Sequence, residues 1–107
     1  MMLSAFILVL AFSAPFAAKA EIPFYDVEEY CRSVSEFSGG SMMIYNGCIQ
    51  MEQSSYDSLV RVWSALPSRV RSYCDEVSRF VDGSYQILQG CVEMEMSAGN
   101  APSQFRR

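Results

Sequence analysis

The chain has 107 residues, a formal net charge of −4, four Cys and no His. That length allows one domain. The lack of His excludes a His-activated nucleophile. The acidic balance disfavours phosphate-dominated binding to nucleic acid and adhesion to an anionic membrane surface.

The first segment is apolar from Leu3 to Phe16 and ends in Ala18-Lys19-Ala20, a small-x-small pattern that a signal peptidase accepts. The run falls short of the roughly 20 residues that a transmembrane helix needs. Only the amino terminus supplies positive charge ahead of it. Residues 1–20 therefore read as a cleaved secretory signal, with an uncleaved anchor as the alternative, and the protein as periplasmic or secreted. No Cys follows the cleavage point and no Arg-Arg pair precedes the run, which speaks against a lipoprotein and the twin-arginine route. Lys19, the single Lys, leaves with the signal. Seven Arg then stand against twelve Asp and Glu, a net of −5.

The remaining chain contains a duplication. Residues 30–54 (YCRSVSEFSGGSMMIYNGCIQMEQS) align without a gap on residues 73–97 (YCDEVSRFVDGSYQILQGCVEMEMS), with 13 of 25 positions identical. Each copy reads as helix, Gly turn, helix, a unit that cannot bury its apolar face alone. The first helix carries Val27, Tyr30, Cys31, Val34 and Phe37 at steps of three and four, and Val70, Tyr73, Cys74, Val77 and Phe80 repeat that stripe. Gly39-Gly40 and Asp82-Gly83 stop these helices, because Gly accepts the left-handed conformation. Ser41 and Ser84 are placed to cap the next helices. Those helices carry Ile44, Cys48 and Met51, continuing through Leu59 and Val62 or Trp63, and in the second copy Ile87, Cys91 and Met94. Gly47 and Gly90 fall inside them. A mid-helix Gly costs about 1 kcal/mol relative to Ala, and close approach of the facing helix at a disulfide would compensate. Pro67 separates the units and can open a helix. Ala98 to Arg107 shows no periodicity and reads as a mobile tail (98–107) beyond a domain of residues 21–97. The fold class predicted is all-α: two helical hairpins forming a small four-helix bundle with pseudo-twofold character.

An even number of cysteines in a short exported chain indicates disulfides. Cys31 and Cys48 stand symmetrically about the Gly39–Gly40 bond, and Cys74 and Cys91 about the Asp82–Gly83 bond. In an antiparallel hairpin such residues face each other. The predicted pairs are Cys31–Cys48 and Cys74–Cys91, each closing a loop of about 18 residues and contributing about 3 kcal/mol. A zinc site favours shorter Cys spacing and commonly uses His, and no Cys-x-x-Cys redox motif is present.

Candidate chemistry is sparse. Glu52 and Glu95 recur four residues after a cysteine, and Glu93 stands beside Glu95. Acid–base work needs two carboxylates in one cleft. The reading preferred here is solvated helix faces or pairing with Arg61 or Arg71. Met42, Met43, Met51, Met94 and Met96 carry soft thioethers, which suit copper, but core packing explains Met51 and Met94 at helical spacing. Gly39-Gly40-Ser41 before a helix resembles an anion cradle, yet a helix-end turn accounts for it. Tyr and Trp enrich at protein interfaces. Glu52, Glu95, Tyr45, Tyr56 and Tyr85 are the candidate interaction residues. Tyr30 and Tyr73 are expected to pack against the disulfides, and Trp63 to fill the core between hairpins. No catalytic set, cofactor site or metal site is predicted.

The pattern of Tyr-Cys, a Gly-Ser turn and Gly-Cys-x-x-Met-Glu resembles a set of small uncharacterised exported cysteine-repeat proteins of alphaproteobacteria. That resemblance implies a periplasmic or secreted location. The stretch through Cys48, Tyr56-Asp57, Leu59, Trp63, Arg71, Cys74, Gly83-Ser84 and Cys91 is similar to the LprI-type lysozyme-inhibitor domain, although Asp82 stands where that domain has Gly. That resemblance implies inhibition of a peptidoglycan-cleaving enzyme. The function expected is a non-catalytic binding protein whose partner is another envelope protein. An inhibitor of a lysozyme-like enzyme is the alternative, and an envelope structural protein the second.

Overall fold

The computed structural model describes residues 21–107; the predicted signal at residues 1–20 lies outside the described residues. The described chain is all-α. Four helices follow one another: α1 (Val27–Glu36), α2 (Met42–Val62), α3 (Ser68–Arg79) and α4 (Tyr85–Asn100), with a short 3₁₀ turn at Trp63–Ala65 between α2 and α3. The hairpins are α1–α2 and α3–α4, joined chiefly by packing of α2 on α4.

Local chemistry sets the helix ends. Asp26 caps α1 by accepting from the Glu29 N–H at 3.1 Å. Ser41 and Ser84 cap α2 and α4 by accepting from the N–H groups of Ile44 and Ile87. Both hairpin turns use two left-handed residues: Gly39 and Gly40 at φ 71° and 78°, Asp82 and Gly83 at φ 65° and 83°. The N–H of the second residue closes each turn onto the carbonyl of Ser35 or Ser78. Pro67 opens α3 with its fixed φ, as the sequence predicts.

Disulfides join Cys31 to Cys48 and Cys74 to Cys91, each with a Cα–Cα distance of 5.5 Å. They staple each hairpin internally, so the two hairpins are held to each other by non-covalent contacts. The core between them is built from Tyr25, Leu59, Trp63, Val70, Cys74, Tyr85, Leu88 and Val92. Trp63 fills this core and donates its indole N–H to the Glu21 carbonyl at 2.8 Å, fastening the segment ahead of α1.

Several expectations are corrected. Phe37 and Phe80 are 95% and 86% exposed: each is the C-cap residue just past the last helical residue, where the chain turns, and its ring stays in solvent. Met51 and Met94 are 59% and 74% exposed rather than core residues. The buried face of α4 is rotated by one position, to Tyr85, Leu88 and Val92. Helix α4 continues to Asn100, three residues into the predicted tail. The hairpins also do not exchange equivalent contacts across a pseudo-twofold axis, as the two glutamates make plain.

Candidate functional site

The duplicated glutamates sit in different environments. Glu52, on α2, is fully buried and reaches across to the start of α4. Its carboxylate accepts from Ser84 Oγ at 2.5 Å, the Tyr85 backbone N–H at 2.6 Å and Gln86 Nε2 at 3.3 Å. A carboxylate at a helix N-terminus satisfies orphan N–H groups and complements the helix dipole. The expectation of a solvated face is therefore overturned for Glu52: it is an internal cap that locks one hairpin to the other. Glu95, its counterpart, remains in its own hairpin and pairs with Arg69 at 3.3 Å, its side chain 29% exposed. The turn that corresponds to Ser84, at Ser41, is only half-buried.

A tyrosine cluster covers the second turn. The Tyr25 and Tyr85 rings stand 4.7 Å apart, and Tyr56 meets Tyr85 edge-on at 5.0 Å. Tyr25 Oη donates to Asp75 at 2.7 Å, and Tyr85 Oη donates to the Pro23 carbonyl at 2.7 Å. Burial raises the Tyr25 phenol well above its ordinary value of 10.0, and the bond to Asp75 adds to the rise. Burial likewise raises Tyr85. Tyr85 is thus a core residue in this fold, while Tyr56 and Tyr45 are half-buried. The structure gathers Glu52, Tyr56 and Tyr85 in one place and leaves Glu95 and Tyr45 apart from it.

The surface has a different organisation. Tyr30, Val34, Ile44, Gly47, Cys48 and Met51 line a groove beside the first disulfide. Tyr73, Val77, Ile87, Gly90, Cys91 and Met94 line a groove beside the second. These are the same six positions of the repeat, and every one is identical in the two copies. Gln86 borders both grooves, so they adjoin on one face. Tyr30 and Tyr73 lie beside the disulfides, as expected, but as groove walls.

The glycines mark this face. A Cβ at Gly47 or Gly90 would meet nothing within 4 Å. The expected close approach of a facing helix at the disulfide is absent, so packing within the described fold does not require Gly at either place. By contrast, a Cβ at Gly83 would lie 2.7 Å from the Tyr25 ring. The buried positions between hairpins show the opposite trend. Tyr85, Leu88 and Val92 have Met42, Tyr45 and Ile49 as counterparts. The repeats thus differ at several positions of the shared core and agree at six positions along the open grooves, while Met43 of the first groove has Gln86 as its counterpart in the second.

No group of three or more His, Cys, Asp or Glu side chains placed to hold a metal is found among the described residues, and no described helix is long and apolar enough to cross a membrane. No known protein family, curated protein or solved structure matches the chain.

Proposed function

We propose that this chain is a small exported, non-catalytic binding protein of the cell envelope that docks a protein partner at the duplicated groove face. The observation that carries this reading is the six-residue identity of two open apolar grooves, each holding a helix glycine that nothing inside the fold uses. Apolar residues kept on a surface mark docking sites, and a glycine on a helix lets an apolar partner element approach the backbone. Two disulfides suit the oxidising conditions of the periplasm or the exterior. A non-catalytic role is supported by the residues present: the chain has no His, and Glu52 is committed to capping α4.

The test is affinity capture from envelope extract with the oxidised protein and with an Ile44→Gln/Ile87→Gln variant. The variant alters both grooves at positions more than a third exposed. Retention of a defined protein by the parent and its loss by the variant is the expected result. Equal retention by both would remove the groove face as the binding surface, and retention by neither would remove a different envelope protein as its partner. If the retained protein cleaves peptidoglycan, an inhibition assay decides whether binding blocks it.

A further inference from the structure

We infer that the occupant of the duplicated face is a second copy of this chain, forming a two-fold dimer. This rests on the reading that the face docks a protein. A partner that fills both grooves at once must present the same apolar element twice, at the spacing of the two hairpins. A second copy does so by construction. A two-fold axis through the face sets the first hairpin of one protomer against the second hairpin of the other.

An isologous interface must be complementary to itself. This face carries both halves of such a fit. Met51 and Met94 project from it, 59% and 74% exposed, and Gly47 and Gly90 leave notches with nothing within 4 Å. Methionine is unbranched and adapts to an irregular notch. The charge distribution agrees. Residues 21–107 carry a net charge of −5, which repels a second copy in general. Where the grooves adjoin, however, the bordering side chain is the neutral Gln86. The carboxylate that lines the face, Glu95, is paired with Arg69. Each groove is lined in part by α2 or α4, the two helices that pack together between the hairpins, and Gln86 at the start of α4 borders both.

The experiment is sedimentation equilibrium on the oxidised protein, produced by export with its own leader, over a wide concentration range. The dimer reading expects reversible monomer–dimer behaviour. It expects the dissociation constant to rise at least about tenfold in Gly47→Gln/Gly90→Gln. That substitution fills both notches, and Gln is a better helix former than Gly. Circular dichroism and a thiol assay should show its helices and both disulfides intact. Met51→Gln/Met94→Gln, which removes the projections, should weaken the dimer similarly without touching the core. A protein that stays monomeric throughout, or a dimer indifferent to both variants, overturns the inference. In that event the same glycine variant is carried through the envelope capture. Loss of a retained protein would leave the face as a docking site with a different occupant, and unchanged capture would remove both readings.

Discussion

Glu52 and Glu95 are the same residue at the same place in the repeat, which makes them a controlled pair. Replacing Glu52 with Ala removes a carboxylate that accepts from Ser84 Oγ, the Tyr85 N–H and Gln86 Nε2 while fully buried. Hydrogen bonds to charged groups contribute about 1.5–3 kcal/mol each. The two short bonds set a gross loss of about 3–6 kcal/mol, and relief of the carboxylate's own desolvation cuts it, leaving about 3 kcal/mol. Glu52→Gln keeps one oxygen but turns an amide NH₂ toward a donor, so about 2 kcal/mol is expected. Glu95→Ala breaks one partly exposed ion pair and should cost about 0–1 kcal/mol. The assay is urea unfolding of the oxidised proteins followed by far-ultraviolet circular dichroism, comparing midpoints at a common slope. Equal losses for Glu52→Ala and Glu95→Ala would refute the argument that one repeat caps the other.

Three further outcomes follow from the geometry. Gly40→Ala should cost about 1–2 kcal/mol through its positive φ alone. Gly83→Ala should cost at least about 1 kcal/mol more, because its Cβ would strike the Tyr25 ring; equal losses in denaturation would contradict that contact. Because the folded-state pKa values of Tyr25 and Tyr85 lie above the unfolded value of 10.0, the folded state holds these protons more tightly, so their contribution is complete below pH 10 and is lost as pH rises above it. Stability measured from neutral to alkaline pH should fall in that window, and Tyr25→Phe should flatten the fall. Cys31→Ser/Cys48→Ser should cost about 3 kcal/mol in thermal or urea unfolding. Cys74→Ser/Cys91→Ser should cost more, because Cys74 is packed in the shared core.

The hairpins were legible in the sequence because their signals are local. Positive-φ Gly turns, Ser caps and cysteines set symmetrically about a turn each depend on residues close along the chain, and the duplication states them twice. What depends on how one hairpin meets the other was not legible. The repeat marks both Glu52 and Ser84 as recurrent, but not that they touch across 32 positions. The apolar stripe placed Met51 and Met94 in the core because Met suits cores. Which helix face is covered is decided by the partner helix, and α4 turns Leu88 and Val92 inward instead. Tyr25 precedes the repeat, and Asp75 stands where the first copy has Arg32, so their bond carried no sequence signal beyond an aromatic ring. The groove face was hidden for a related reason: the recurrent Met and Gly positions suggest packing within the fold, whereas they line open surface.

The central claim is that Gly47 and Gly90 serve something outside the fold of one chain. Its most direct test is the unfolding free energy of Gly47→Ala/Gly90→Ala at high dilution, where single chains prevail. With open space at both positions and Ala the better helix former, the double variant should be more stable than the parent by about 1–2 kcal/mol. A loss of stability would mean that the glycines serve packing within the chain, and the case for the duplicated face as a docking surface would fall with it.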